Sequence, residues 1–303
     1  MPACAPPYSS NLPGIMFRCG AVACFALMSA AFKWASEDGP GVIEMLFFRG
    51  LVGVPLVVIW LSAGQGIGAV RTRRPGAHLF RAVIGVGSLS LIYAALIHLP
   101  LADAVTIGFS APAFSTIMSA VFLGEKVGPH RWFAVALGFV GVVIVMRPGG
   151  EVLPGAGIAF ALLGAVGNGA ATVTIRQMGA RENPAAIAFW FLVFSLVVGG
   201  IGMLWVAAPH QPATWILLVL GGVAGAAAQL LIVRSLHAAP VAVVVPFDYV
   251  QIVWAALLGW LIWSVLPGLN TLLGALLIAA SGLFTAWREH RLHRTSQAAM
   301  SIE

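Results

Sequence analysis

The sequence predicts an all-α polytopic membrane protein: ten transmembrane helices, built as two inverted five-helix repeats around a central cavity. Three observations predict it. The 303 residues are 60% hydrophobic and 9% charged, with a mean hydropathy of +0.98. A soluble chain carries about 25% charged residues, so this one cannot clothe its surface in polar groups, and lipid is its expected solvent. The uncharged runs are also long. Between Glu182 and Arg234 the chain holds no Asp, Glu, Lys or Arg, and between Arg234 and Arg288 it holds only Asp248. Finally, one pattern occurs twice. His98-Leu-Pro-Leu-Ala-Asp opens an apolar span with Pro112 inside it, and His237-Ala-Ala-Pro opens another with Pro246 and Asp248 inside it. The separation of the two histidines (237 − 98 = 139) is close to half the chain.

A span needs about 20 apolar residues, and the chain supplies ten in order. The first runs Gly14 to Ala35 and stops at Glu37-Asp38-Gly-Pro. The second runs Val42 to Ala63, with Glu44 and Arg49 in its first turns and Pro55 as a bend. After the basic loop Arg71, Arg73 and Arg74 come the third, Ala77 to Leu99, and the fourth, Leu101 to Gly124. The fifth, Trp132 to Met146, stops at Arg147-Pro-Gly-Gly. Glu151-Val-Leu-Pro separates the halves. The sixth is Gly155 to Ile175. The seventh and eighth turn at Pro209-His-Gln-Pro, and the ninth and tenth fill the run to Arg288. This divides the chain into a first repeat at 1–150, a second at 151–290 and a cytoplasmic tail at 291–303.

Charge gives the orientation. With the N-terminus inside, 13 of the 16 Lys and Arg fall on the cytoplasmic side, Arg18 and Arg81 among them, leaving Lys33, Arg49 and Arg147 outside. That asymmetry is the positive-inside rule, and it places both termini in the cytoplasm. Five spans per half is an odd number, so the second half enters the membrane from the opposite side. Inverted repeats of this kind place a solute near the midplane, between the halves. Met1 to Pro13 lacks a basic n-region, so the first span is expected to remain in the mature protein.

Other chemistries find little footing. The net charge of +6 and pI of about 9.9 reflect loops rather than a basic stretch interleaved with aromatics, which argues against nucleic acid. Cys4, Cys19 and Cys24 have neither metal-ligand spacing nor a disulfide framework. No nucleophile elbow, phosphate loop or paired-histidine metal motif occurs, so neither an enzyme nor a bound cofactor is expected. A polytopic membrane enzyme is the rival class; it would need His, Asp or Glu clustered at one membrane face, and the seven histidines are scattered.

Several strings carry a family resemblance: Leu99-Pro-Leu-Ala-Asp-Ala, Phe122-Leu-Gly-Glu-Lys-Val-Gly, Arg131-Trp-Phe-Ala-Val-Ala-Leu-Gly, Pro246-Phe-Asp-Tyr-Val-Gln and Trp254-Ala-Ala-Leu-Leu-Gly-Trp-Leu. Over nearly the whole chain they resemble the EamA family of the drug/metabolite transporter superfamily. The resemblance implies ten spans with cytoplasmic termini in a bacterial inner membrane and export of amino acids or similar small metabolites. In one place the chain departs: where similar proteins carry an acidic residue in the second copy, this one has Val265.

Polar groups inside a bilayer are costly and mark function or structure. Ser88, Tyr93, Asn168, Gln229, Asp248, Tyr249 and Gln251 fall at similar depths. As cavity lining, they would bind the ammonium and carboxylate of an amino acid, while Phe25, Trp190, Trp254 and the Tyr rings take its side chain. As structure, each would simply bond between helices, at about 0.6 kcal/mol per pair. Asp248, eight residues past Pro240 and about 12 Å into the membrane, would bind a proton or an ammonium, or else pair structurally with Arg234 or Arg176. Asp103 reads as a helix cap, Glu125 as the partner of Lys126 and Arg131, and His98 and His237 as interfacial. Gly221-x-x-x-Gly225 reads as tight packing within one bundle. The expected partners are the bilayer and a small solute, with the protein a monomer or weak dimer.

Overall fold

The computed structural model describes residues 11–64, 66–72, 74–125, 127–147, 153–178 and 182–300, with side chains described at all of these but 184, 241–242 and 289–300. Cys4, Arg73, Lys126, Glu151 and Arg181 lie outside the described residues. The helices are α1 Leu12–Ser36, α2 Val42–Ala63, α3 Pro75–His98, α4 Leu101–Gly108, α5 Ala111–Leu123, α6 Pro129–Val145, α7 Gly155–Met178, α8 Pro184–Val206, α9 Pro212–Ala238, α10 Val241–Val244, α11 Val250–Trp263 and α12 Leu269–Met300. Among the described residues nine segments are long and apolar enough to cross a membrane, and α6, at 17 residues, is a shorter tenth.

Local chemistry explains the ends. Proline opens α3, α6, α8 and α9, where its missing N–H costs nothing. The Asn183 side chain accepts from Ala185 N–H to cap α8, and the Glu44 carboxylate accepts from Gly41 N–H at 2.8 Å to open α2. Gly124 closes α5 in the left-handed conformation at φ 64°. Within spans, the hydroxyls of Ser90, Thr174, Ser195 and Thr285 donate to the carbonyl four residues back, satisfied without water. Large apolar side chains such as Leu204, Trp205, Leu276 and Val253 face outward, as lipid contact requires.

Two spans are broken, where single helices were expected. The fourth breaks at Phe109-Ser110, because Pro112 has no N–H to close the turn at Gly108. The ninth unwinds into a 3₁₀ turn over Val245–Tyr249 around Pro246. Unlike the prediction, α6 starts three residues before Trp132, and α12 continues to Met300 through the stretch expected as a tail.

Helix pairings follow a pattern. α1 packs on α9 and α3 on α7; α2 packs on α8, α6 on α12 and α4 on α11. Exchanging each of the first five spans with its counterpart among the last five maps this set onto itself. α3 ends at His98 and α9 at Ala238, so the helix ends set an offset (238 − 98 = 140) one position longer than the histidines do (237 − 98 = 139). In that register Phe109 and Tyr249 are counterparts (249 − 109 = 140), and their rings meet at 5.1 Å. Gly141 and Gly274 let α6 and α12 approach backbone to backbone; a methyl at either would strike the other's carbonyl oxygen. Gly221 and Gly225 seat Phe32 and Met28 of α1 within the bundle.

Candidate functional site

Both broken spans face one cavity of about 380 Å³, lined also by α1, α3, α7 and α9. Irregular backbone at membrane depth is tolerated where it borders such a space. At one end Arg18 grips Asp248 with both arms of its guanidinium: Nε to Oδ1 and Nη2 to Oδ2, each 2.5 Å. Arg18 is buried, while Asp248 keeps 27% of its side chain accessible. From Arg18 to Ser29, both lining residues, α1 advances about 16 Å at 1.5 Å per residue. Between them the walls are mostly apolar, with Phe25, Phe109 and Pro112, and the polar groups are Ser115, Asn168, Thr172 and Gln251.

Of the residues singled out from sequence, Phe25, Asn168, Asp248 and Gln251 line this cavity. Others are employed elsewhere. The Ser88 hydroxyl donates to Gly164 carbonyl across α3 and α7, 2.8 Å away. Tyr93 is fully buried among Arg49, Met28 and Phe32. Trp190 donates its indole N–H to Val70 carbonyl at 3.0 Å. Tyr249 meets Phe109 at a tilt of 37° behind the lining, Gln229 is half-buried on α9, and Trp254 is 37% exposed. Similar depth does not put residues on one face, because a helix turns about 100° per residue.

Several ionic expectations are corrected. Asp248 pairs with Arg18, not with Arg234 or Arg176, and Arg18 lines the cavity. It could have been found: Asp248 is the one charge between Arg234 and Arg288, and Arg18 interrupts the N-terminal half of the first span. Asp103 does not cap α4; it is buried, accepts from Thr271 hydroxyl at 2.5 Å and lies 3.6 Å from Arg147. Glu125 also lies 3.8 Å from Arg176 on α7, while its expected partner Lys126 lies outside the described residues. His98 and His237 are exposed, as expected.

Beyond Tyr93 a second space of about 730 Å³ opens between α1, α3, α4, α11 and the α11–α12 turn. The wall between the two spaces contains Leu96, Leu99 and Leu101, each at most 2% exposed. Lys33 closes over it, donating to Leu96 carbonyl at 2.9 Å and Leu99 carbonyl at 2.8 Å, with its ammonium 5.7 Å from the Trp263 ring. Trp263 in turn donates to Glu37. At that end Glu44 meets His210 at 2.7 Å, and at the opposite end Glu182 meets His78 at 3.1 Å. The His78 hydrogen bond holds the Glu182 carboxyl below the usual carboxylate range.

Another charged cluster touches neither space. Arg49 of α2 and Arg81 of α3 converge on Phe191 of α8, their guanidinium carbons 5.8 and 4.3 Å from the ring centre. Arg49 Nη1 also approaches Met28 sulfur at 2.8 Å and the Tyr93 hydroxyl at 3.4 Å. Arg49 Nε, Arg81 Nε and Arg81 Nη1 are buried without a hydrogen-bond partner. Each intramembrane arginine costs about 2.5–3.5 kcal/mol on the insertion scale. Cation–π contact returns only about 0.5–2 kcal/mol, and two like charges repel. Protein groups leave this pair under-compensated.

The profile of the EamA-like transporter family matches residues 12–147 and 155–287, one match to each half. The chain belongs to that family. It is 33% identical over 230 residues to a riboflavin transporter of Rhizobium johnstonii, covering 76% of each chain. It is 30% identical over 270 residues to the pseudopaline exporter of Pseudomonas aeruginosa, covering 88% of this chain and 94% of that one. An S-adenosylmethionine uptake transporter of Rickettsia bellii is 26% identical over 81% of this chain and 82% of its own. One crystal structure shares the fold, with a TM-score of 0.64 over 93% of this chain and 99% of that chain at 18% identity. This EamA-like protein is therefore a multi-pass small-metabolite transporter, not an enzyme.

Proposed function

We propose that the protein exports amino acids or closely related small metabolites by alternating access, and that the Arg18–Asp248 pair holds the solute. The observation that carries this reading is the pair itself: two opposite charges, in fork geometry, on the wall of an apolar cavity. A zwitterion can replace the pair charge for charge, its carboxylate on Arg18 and its ammonium on Asp248. Phe25 and Phe109 then offer the side chain an apolar seat, and Asn168 and Gln251 add amide contacts. At about 380 Å³ the space sits near the small end of ligand pockets, which run about 300–1,000 Å³. The exporter among the relatives favours the outward direction.

We further read the halves as one unit repeated with opposite polarity, both termini cytoplasmic, in a bacterial inner membrane. The exchange-symmetric pairing and the Phe109–Tyr249 contact support it. With that polarity the Arg18 cavity lies toward the cytoplasm and Lys33 closes the far side. A second reading has support as well: the aromatic walls and the riboflavin transporter among the relatives favour a flat heterocycle.

The deciding experiment is solute uptake and counterflow in proteoliposomes, with an amino-acid panel and riboflavin, with and without a pH gradient. An amino acid should be carried, and Asp248→Asn and Arg18→Gln should each cut its rate at least about tenfold, the scale of losing one charged hydrogen bond worth about 1.5–3 kcal/mol. Normal transport by Asp248→Asn under both conditions would sink the role given to the carboxylate. Riboflavin transport with no amino acid carried would favour the second reading.

A further inference from the structure

The paired arginines on Phe191 lie outside the cavity assigned to the solute, and among the described residues their charge has no counterpart. Among the described residues no carboxylate approaches either guanidinium to ion-pair distance; Glu44, Glu182 and Asp248 are engaged with His210, His78 and Arg18. Arg49 is 5% exposed. Three N–H-bearing atoms, Arg49 Nε, Arg81 Nε and Arg81 Nη1, are buried with nothing to donate to. Buried donors in native proteins are nearly always satisfied, and an exception signals an unseen water, ion or ligand. Here two permanent positive charges at membrane depth select for an anion over water.

The surroundings hold the arginines in place. Phe191 supports both guanidiniums, and Gly85 leaves room for Arg81, since a methyl at 85 would overlap Arg81 Nη1 and press on the Phe191 edge. The Tyr93 hydroxyl accepts from Arg49 Nη1 at 3.4 Å and its proton faces only the weak acceptor Met28 sulfur at 3.9 Å, so it can turn to an anion beside Arg49. The cluster joins α2, α3 and α8, which draw on both halves of the chain.

We propose that Arg49, Arg81 and Tyr93 form a buried site for a small monovalent anion, filled by a halide or by the carboxylate of a solute. The anion neutralises the pair and ties α8 to α2 and α3. This site is separate from the Arg18–Asp248 cavity and does not depend on the role given to that pair.

The test uses the purified full-length protein in detergent. Its thermal midpoint is followed as chloride replaces gluconate at constant ionic strength. Mass action on a folded-state site raises the midpoint by about 3 °C per tenfold chloride above its dissociation constant. Arg81→Gln and Arg49→Gln should lose that slope, and bromide-soaked crystals should show an anomalous peak beside Arg81. In chloride-free buffer an amino acid, set against its amide, separates the two sources. Stabilisation by the carboxylate form, lost in Arg81→Gln but kept in Arg18→Gln, assigns the site to solute; stabilisation by chloride alone assigns it to a resident ion. A wild-type midpoint indifferent to chloride and to carboxylate, with no bromide peak, overturns the proposal even if the variants fail to fold.

Discussion

Glu182 shows how one residue can report on closure at the end opposite Lys33. His78 holds its carboxyl below the ordinary range, so the folded state favours the charged form. A carboxyl depressed in this way adds stability that is complete above its unfolded value, about 4.3, and fades as pH falls through the lower folded value. Glu182→Gln should therefore be less stable than wild type at pH 6, with the gap narrowing below about pH 4. Thermal unfolding across that range checks it, and a gap that widens on acidification refutes it. Asp248, Asn168 and Gln251 were legible as site candidates because polar groups are rare at their depth. Ser88 and Tyr93 were just as deep but point at α7 and at Arg49, since depth carries no information about helix face. Arg18 was overlooked as a site residue, although its charge inside the first span was the natural partner for the lone Asp248.

At the scale of elements, the proposed repeat sets the turn that carries Glu125 against the turn that carries Val265. Arg176 stands in the last turn of α7, and Lys33 stands in the last turn of α1. Arg176 has Glu125 beside it at 3.8 Å. In the register that pairs Phe109 with Tyr249, the counterpart of Glu125 is Val265 (265 − 125 = 249 − 109). Lys33 has turned instead to the two carbonyls at the end of α3 and to Trp263. Val265→Glu should recreate the missing pair and stabilise the Lys33 closure by about 0.2–1 kcal/mol, the range for exposed pairs. Transport should slow accordingly, because the restored pair must open in each cycle. Lys33→Met in the same background should remove both effects; if they persist, the counterpart assignment is wrong. The departure was visible in the sequence as an absent acid. Where Lys33 went was not, since a backbone carbonyl leaves no sequence signal.

For the molecule as a whole, hydropathy alone located the first six spans within a few residues and bracketed the last four in pairs, because lipid imposes length and apolarity with little latitude. It missed the breaks at Phe109-Ser110 and Val245–Tyr249, whose prolines marked bends without marking loss of helix. α6 has a further consequence. Its 17 residues reach only about 25 Å at 1.5 Å per residue, against a hydrocarbon core of about 30 Å, and Phe133, Val140 and Val143 face lipid directly. The Gly141–Gly274 approach fixes it to α12, so the bilayer rather than the helix must absorb the mismatch. Shorter acyl chains should therefore suit this transporter better than long ones, and initial rates in vesicles of graded chain length should rise as the membrane thins toward α6. A cell could then tune this transport through the thickness of its own membrane.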